Sequence, residues 1–171
     1  MRRVSTTEPA LAQPAAAERL DFEEFFRAEH VRLLRALFLV TGSSQEAEDL
    51  MQEAFVKTWE QWDRVQSMVD PVGYLYRIGM NAFRSRARRA ATAARRILTP
   101  DTTNPFDAVE AKDEAARALA TLTRRQRLAL VLTEYLGYSS EDAAAIMRVK
   151  PATVRVLSHQ GRRALEGTRD E

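Results

Sequence analysis

Apolar residues recur along most of the chain at steps of three and four, the spacing that places side chains on one face of an α-helix. The strongest run predicts a helix with one apolar face made of Ala47, Leu50, Met51, Ala54, Phe55, Trp59 and Trp62. The same spacing predicts a helix from Phe22 to Val40, and a third helix that begins at Pro71, a residue suited to a first helical turn. No segment alternates with period two over the length of a strand, so the sequence predicts an all-α fold without internal repeats.

Two stretches lack this periodicity and divide the chain into domains. Residues 1–17 are rich in Ala, Pro and Thr, which indicates a flexible tail. Residues 97–112 contain two prolines, several threonines and a net negative charge, which is typical of a linker. The sequence therefore predicts two small helical domains, residues 18–96 and residues 113–171, joined by a flexible linker.

The second domain ends in a pattern typical of a helix-turn-helix. A short helix capped by Ser139 or Ser140 is followed by the turn Arg148–Pro151 and by a last helix. Helical spacing predicts that the inner face of this last helix carries Val154, Leu157, Gly161, Ala164 and Leu165. The outer positions have the chemistry to contact base edges in a major groove, and they are Ala152, Thr153, Arg155, Val156, His159, Gln160 and Arg163. An ordinary helical hairpin with a polar outer face is the alternative interpretation.

The net charge of +2 conceals a strong segregation of charge along the chain. Residues 18–63 carry eleven acids against five bases, a net of −6, whereas residues 71–98 carry seven arginines and no acid. Residues 143–165 carry four arginines and one lysine, again without an acid. Each acid-free block produces a local field that attracts a polyanion. One such block could equally be a solvated helix face, but two of them favour nucleic acid as a partner.

The third predicted helix combines aromatic residues with arginines, a combination that suits an unpaired nucleic-acid strand. The aromatic residues are Tyr74, Tyr76 and Phe83, and the arginines are Arg77, Arg84, Arg86, Arg88 and Arg89. Core packing is the alternative role of the aromatic residues, and we expect it for Tyr74 and Phe83. Trp59 and Trp62 share the face of Leu50, so we expect them to be core or interface anchors.

The sequence offers little for catalysis. It has no cysteine, no Gly-rich phosphate loop and no Ser/His/Asp arrangement, and its two histidines, His30 and His159, fall in different predicted domains. We therefore expect no catalytic residue, no cofactor and no metal site. No run of about 18 apolar residues occurs, and no apolar stretch follows Met1. These features predict a cytoplasmic protein without membrane insertion.

Three stretches, in order along the chain, resemble the conserved regions of bacterial sigma factors. Residues 47–59 resemble the second conserved region, and residues 71–81 resemble the strand-melting segment and the start of the helix that recognises the −10 element. Four short stretches resemble the fourth conserved region: Leu122–Arg127, Gly137–Ser139, Thr153–Arg155 and Arg162–Leu165. The resemblance covers about residues 21–166. The lack of other conserved regions at this length is similar to the extracytoplasmic function (ECF) group of the sigma-70 family.

The chain departs from the family pattern at four positions. Ser85 stands where an acid is usual, and Ala143 replaces a larger aliphatic residue. Arg148 occupies the turn position that usually holds glycine, and Lys150 stands where a capping serine is common. None of these departures removes a motif.

The resemblance implies a transcription initiation factor that binds core RNA polymerase, directs it to promoters and aids strand opening. Docking on the clamp helices of the largest polymerase subunit is implied for Asp49, Gln52, Glu53, Val56 and Lys57. The loop at residues 63–70 is implied to capture a flipped base of the −10 element. Binding of that single-stranded element is implied for Tyr74, Arg77, Asn81, Arg84, Arg86, Arg88 and Arg89. Binding of the double-stranded −35 element is implied for Lys150, Ala152, Thr153, Arg155, Val156, His159, Gln160 and Arg163.

The resemblance also implies an anti-sigma factor as a partner, and we expect a monomer when the chain is free. Two other functions stay open: a stand-alone helix-turn-helix regulator, and a helical adaptor that binds only protein. The acidic linker, with Asp101, Asp107 and Glu110, is either a passive spacer or an extended strand that threads the cationic channel where nascent RNA will run.

Overall fold

The computed structural model describes residues 21–96 and 113–167, and its described residues form helices joined by turns, with no strand among them. The N-terminal unit contains α1 (Phe22–Thr41), α2 (Ser44–Trp59), α3 (Trp62–Val65) and α4 (Pro71–Arg96). The C-terminal unit contains α5 (Glu114–Ala120), α6 (Arg124–Leu130), a π-helical turn (Val131–Tyr135), α7 (Ser140–Met147) and α8 (Pro151–Gly167). The all-α prediction is confirmed. The predicted tail and linker lie outside the described residues.

Local chemistry explains where several helices begin and end. Gly42 adopts a left-handed conformation, with φ of 76°, and its N–H donates to the Phe38 carbonyl, which ends α1. Ser43 then caps α2 by accepting a hydrogen bond from the Glu46 N–H. A reciprocal capping box between Thr123 and Gln126 starts α6. Small polar residues and glycine at these positions therefore set the helix boundaries.

The N-terminal unit is held together by apolar contacts among α1, α2 and α4. Leu33, Leu37, Leu50 and Leu75 are fully buried there. The predicted periodic run is interrupted near its end, because α2 stops at Trp59 and Trp62 belongs to the short α3. Trp62 is half-buried against the core, and aromatic rings from α1 surround this corner of the unit.

The C-terminal unit has the predicted helix-turn-helix geometry, with α8 packed on both α6 and α7. Gly161 permits the close approach of α8 to α6, since a Cβ at this position would lie 2.8 Å from Leu130 Cδ1. Arg148, in the turn after α7, adopts a left-handed conformation with φ of 53° and ψ of 51°. Such a conformation costs a non-glycine residue about 1–3 kcal/mol. The turn thus keeps a shape that glycine adopts easily while carrying an arginine side chain.

The two units pack against each other, which the sequence did not predict. Helix α1 contacts α5, α6 and the π-helical turn, and α4 contacts α7. Arg35 on α1 forms a two-pronged ion pair with Asp113, in which Nη2 lies 3.0 Å from Oδ1. Arg84 on α4 donates through Nη1 to the Ile146 carbonyl at 2.9 Å. The buried apolar cluster consequently runs from one unit into the other.

We expect the Arg35–Asp113 pair to stabilise the contact between the units by about 1 kcal/mol, a value for a partly exposed pair. Asp113 also caps α5 by accepting from the Ala116 N–H at 3.0 Å. Asparagine is a good cap but carries no charge, so Asp113→Asn should cost about 1 kcal/mol. Asp113→Ala should cost about 2 kcal/mol, because the cap is lost as well. Urea unfolding measures both values.

The same pair predicts a pH dependence. The hydrogen bond from Arg35 holds the pKa of Asp113 below its ordinary value. The stabilisation should therefore be complete above pH about 4, the ordinary range of the group, and should be lost as the pH falls through the lowered pKa. An Asp113→Asn chain that unfolds at the same urea concentration as the original chain at pH 7 would show that the pair contributes nothing.

Candidate nucleic-acid and polymerase interfaces

The exposed face of α8 matches the predicted base-reading face at most positions. The exposed members of the predicted set are Lys150, Ala152, Arg155, Val156, His159, Gln160 and Arg163, and Thr153 is half-buried. Val154 and Gly161 face inwards as predicted, whereas Leu157 and Leu165 are only half-buried and Ala164 is exposed. The prediction that Ala164 faces inwards was therefore wrong.

One buried polar residue on α8 was not predicted. Ser158 is buried, and its hydroxyl lies 3.3 Å from that of Thr133 in the π-helical turn. The hydroxyl of Thr133 also donates to the Ala129 carbonyl at 2.9 Å. Serine gave no apolar signal at this inner position, so periodicity could not find it. The pair fixes the rotation of α8 about its axis and so helps to set which residues face outwards.

Arg155 is an exposed candidate for guanine recognition, and its guanidinium has an acidic partner in the free chain. Its Nη1 lies 3.2 Å from Glu141 Oε1 on α7, and both side chains are largely exposed. An exposed pair of this kind contributes roughly 0–1 kcal/mol. A guanine base that offers two acceptors can therefore displace Glu141 at little cost.

The aromatic residues of α4 divide into two groups. Tyr76 and Phe83 are buried, and the Tyr76 hydroxyl donates to Glu29 Oε2 at 3.1 Å. Burial raises the pKa of Tyr76 far above its ordinary range. Core packing, expected for Phe83, is therefore confirmed. These two rings have no access to a nucleic-acid strand.

The expectation of core packing for Tyr74 was wrong. Tyr74 is half-buried near the surface, where its hydroxyl lies 3.2 Å from Gln61 Oε1 and accepts a hydrogen bond from Arg64. The guanidinium of Arg64 also lies over the ring, 5.7 Å from its centre. The reason is positional: Tyr74 follows a loop, and its ring lies against the short α3 rather than against α1. The Tyr74 ring is consequently partly exposed at the edge of the N-terminal unit.

The arginines of α4 have different surroundings. Arg77, Arg88 and Arg89 are exposed, as is Asn81, so these side chains are open to solvent. Arg84 is half-buried and donates to Asn81 Oδ1 at 3.2 Å as well as to Ile146. Arg86 lies instead against the acidic face of α2, with Nη2 3.3 Å from Glu53 Oε2 and Nη1 3.7 Å from Asp49 Oδ2.

The predicted docking residues on α2 share one surface with an exposed apolar edge. Asp49, Gln52 and Lys57 are exposed, and Val56 keeps 55% of its surface open to solvent. Glu53 is half-buried and accepts from Lys57 Nζ at 2.6 Å. That hydrogen bond, together with Arg86, holds the pKa of Glu53 below its ordinary value, so the carboxylate stays ionised.

Trp59 belongs to this surface although it was not among the predicted docking residues. It keeps 59% of its surface exposed, and its ring lies 4.7 Å from that of Phe22. Its spacing of three from Val56 places both side chains on neighbouring positions of the helix. This exposure excludes a core position for Trp59, whereas a role as an interface anchor stays a prediction.

The residues that could support other chemistry are few. Within residues 21–96 and 113–167, no group of three or more His, Asp or Glu side chains could hold a metal ion. His30 lies on α1 and His159 on α8. No helix in this part of the chain is both long enough and apolar enough to cross a membrane.

Comparison with known proteins identifies the family. The model of Sigma-70 region 2 matches residues 25–93, and that of Sigma-70, region 4 matches residues 112–165. The ECF RNA polymerase sigma factor SigM of Mycobacterium tuberculosis is 31% identical over 148 residues, which cover 85% of this chain and 75% of SigM. The ECF RNA polymerase sigma factor SigE of Mycolicibacterium smegmatis is 30% identical over 84% of this chain, which spans 60% of the length of SigE.

A solved structure shares the fold. The sigma factor RpoE of Bartonella quintana, solved with the anti-sigma factor NepR, gives a TM-score of 0.67 at 24% identity, covering 85% of this chain and 94% of RpoE.

The chain belongs to the ECF group of sigma-70 family factors, and it is a transcription initiation factor.

The surroundings of the arginines predict unequal contributions to DNA binding. Replacing exposed Arg88 and Arg89 with alanine should reduce the slope of log affinity against log salt by about 1.4 units, since each phosphate contact with a single strand contributes about 0.7. Arg86→Ala should change the slope much less, because two carboxylates already neutralise its charge. The measurement is promoter binding by the reconstituted holoenzyme at several salt concentrations. A slope change for Arg86→Ala of half the size found for the combined Arg88 and Arg89 replacement would show that Arg86 leaves α2 and reaches a phosphate.

Proposed function

We propose that the chain binds core RNA polymerase through the outer face of α2 and reads promoter DNA with α4 and α8. The observation that carries this proposal is the separation of one acidic helix face from two arginine-rich helix faces on a single helical frame. An acidic face suits a basic protein partner, and the arginine-rich faces suit phosphates. The family membership supplies the identity of both partners.

Docking on polymerase combines charge with apolar anchors. Asp49, Gln52 and Glu53 offer carboxylates and an amide to the clamp helices of the largest subunit. Val56 and Trp59 lie beside them and would lose exposed apolar surface on contact. Aromatic side chains in such positions contribute a large share of the affinity of protein interfaces, whereas the surrounding charges guide association.

The −10 element is assigned to α3, the following loop and α4. A surface cavity of about 610 Å³, lined by residues 59–64, lies next to this loop. Tyr74 is available nearby for stacking, and Arg77, Asn81, Arg88 and Arg89 continue the same side of the unit towards the phosphates. A flipped base held by the loop and a strand held by α4 would together favour the open, unpaired DNA.

The −35 element is assigned to α8. A helix-turn-helix places its second helix in the major groove, where Arg155, His159 and Gln160 can reach base edges. Lys150 and Arg163 lie near the two ends of this face and suit the flanking phosphates. Thr153 and Val156 offer apolar contact to thymine methyl groups.

The contact between the two units has a consequence for this function. A promoter strand cannot reach Arg84 while α7 lies against α4, because Arg84 is half-buried between the units and donates to the Ile146 carbonyl. Use of Arg84 on the −10 element therefore requires α4 and α7 to separate. An inhibitory partner that holds the units together would oppose initiation, which is consistent with the anti-sigma factor that we expect.

The docking surface is tested by charge reversal on α2. Asp49→Lys combined with Glu53→Lys should abolish co-elution with core polymerase while circular dichroism shows unchanged helix content. Because lysines at these positions also repel Arg86, the neutral pair Asp49→Asn and Glu53→Gln should be measured too, and we expect about a tenfold weaker association. Tenfold corresponds to about 1.4 kcal/mol, a reasonable loss for two charged contacts.

A matched control reverses two exposed acids on other helices, Glu24 on α1 and Glu166 on α8. This variant changes the net charge by the same amount and should still co-elute with polymerase. Full association of the α2 variants would place the docking surface elsewhere. Failure of the unaltered chain to co-elute with core polymerase would favour a stand-alone regulator or an adaptor.

The assignment of α8 is tested by Arg155→Ala. If Arg155 donates two hydrogen bonds to a guanine, its loss should cost about 1–3 kcal/mol at the −35 element and relax preference at one or two positions. Arg162→Ala is the control, because Arg162 lies on the same helix and also has an acidic partner, Glu134 at 2.6 Å, but does not belong to the predicted base-reading set. Competition binding with holoenzyme and a set of −35 variants measures the difference. Uniform weakening on all sequences would mean that Arg155 contacts phosphate only.

A further inference from the structure

A cavity of about 420 Å³ lies between the two units, with α4 on one side and α6 and the turn after α7 on the other. We call it the arginine cavity, because its charged lining consists of Arg84, Arg88, Arg124, Arg125 and Arg148. No acidic side chain is among its lining residues. Its volume falls within the range of about 300–1,000 Å³ that small-molecule sites occupy.

These five arginines differ from the other arginines of the described chain that have carboxylate partners. Five arginines each form an ion pair with Asp or Glu: Arg27, Arg35, Arg86, Arg155 and Arg162. None of the five cavity arginines forms an ion pair with a described carboxylate. Arg84 donates to two neutral acceptors, Asn81 Oδ1 and the Ile146 carbonyl. The guanidinium of Arg124 lies over the Phe83 ring, 5.9 Å from its centre. Positive charge therefore accumulates at this junction without compensation from the described residues.

Two further observations show that holding these positive charges close together costs free energy. Burial lowers the pKa of Arg84, and the nearby charges of Arg148 and Arg88 lower it further. Arg148 keeps its side chain at a left-handed position that glycine would occupy without strain. Strain of this kind, held by the surrounding structure, is a feature of ligand sites.

Most of the cavity arginines lie outside the surfaces assigned to DNA. Arg124, Arg125 and Arg148 belong to neither the −10 set nor the −35 set, and no residue of α8 lines the cavity. The cavity also exists only where the two units meet, since α4 provides one wall and the C-terminal unit provides the other. These facts favour a compact anion that fits between the units over a continuous nucleic-acid strand.

We propose that the arginine cavity binds a small polyphosphate anion, which bridges the two units and stabilises their packed arrangement. Planar guanidinium groups bind phosphate oxygens in pairs, so several phosphates can engage arginines from both walls. A ligand that binds only the packed arrangement increases its population by mass action. The ligand would also compete with promoter DNA for Arg84 and Arg88, and this last consequence rests on the proposed function.

The site is tested by calorimetric titration of the full chain with inorganic tripolyphosphate. The key variant combines Arg124→Ala with Arg148→Gly, which removes two guanidinium groups while glycine relieves the turn. The matched control combines Arg32→Ala with Arg117→Ala, two exposed arginines that do not line the cavity. We expect at least tenfold weaker binding for the key variant and less than a twofold change for the control. Equal weakening of both would show general charge attraction and overturn the site.

Two more ligands distinguish the sources of phosphate. A nucleoside triphosphate should bind with the same dependence on Arg124 and Arg148, because it offers the same phosphate chain. A single-stranded oligonucleotide with three phosphates should bind more weakly, since its phosphates are spread along a strand. Tighter binding of the oligonucleotide, lost in the key variant, would assign the cavity to nucleic acid and overturn the proposal.

Bridging is tested by a distance measurement. The chain contains no cysteine, so Ser44→Cys on α2 and Ala145→Cys on α7 provide unique, exposed label sites in the two units. The Asp113→Asn background weakens the packing between the two units. In this background, tripolyphosphate should increase the fraction of molecules in which the two labels are as close as in the packed arrangement. Binding without any change in this fraction would overturn the bridging role. Neither measurement uses polymerase or promoter DNA, so their failure is distinct from a failure of the initiation function.

Discussion

Burial of apolar side chains between helices is the interaction on which the rest of the structure depends. The chain has no cysteine, so no disulfide supports the fold. Leu33, Leu37, Leu50 and Leu75 are removed from solvent where α1, α2 and α4 meet, and each contributes roughly 1.5–3 kcal/mol. The same cluster continues into the C-terminal unit through residues such as Leu132. Because these side chains must face inwards, the rotation of every long helix is fixed, and with it the set of side chains that face outwards.

The outward side chains form surfaces of opposite charge that lie next to each other. Arg86 connects two of them, because it extends from the arginine-rich α4 to Glu53 and Asp49 on α2. A polymerase that binds these two acids would compete with Arg86 for them. The polymerase-docking surface and the arginine-rich face of α4 are therefore joined through one side chain.

Much of the fold could be predicted from sequence because it depends on local spacing. The steps of three and four around Leu50 and Phe55 required a helix, and Val154 and Gly161 fixed the inner side of α8, so the exposure of Arg155 and His159 followed. Contacts between distant residues could not be predicted in this way. Arg35 and Asp113 are 78 positions apart, and Arg84 and Ile146 are 62 apart, and neither pair leaves a periodic signal.

The candidate sites show the same limit. Periodicity identified the outer faces of α2 and α8, but it could not reveal that Arg86 bonds to acids while Arg88 does not. Core packing was expected for Tyr74, but the short α3 changed its surroundings, because the Tyr74 side chain contacts Gln61 and Arg64 there. The arginine cavity was also invisible in the sequence, since its two walls come from units separated by residues 97–112. Charge segregation indicated nucleic acid, but only the packing of the units brought five arginines together.

The central claim is that one chain joins polymerase to promoters through two separate DNA-reading surfaces. Run-off transcription across a genomic library, with core polymerase and the purified chain, tests it most directly. We expect transcripts that require the chain and whose start sites share an upstream pair of short motifs at a constant spacing. Transcripts that start at the same sites without the chain, or start sites that share no such pair, would contradict it.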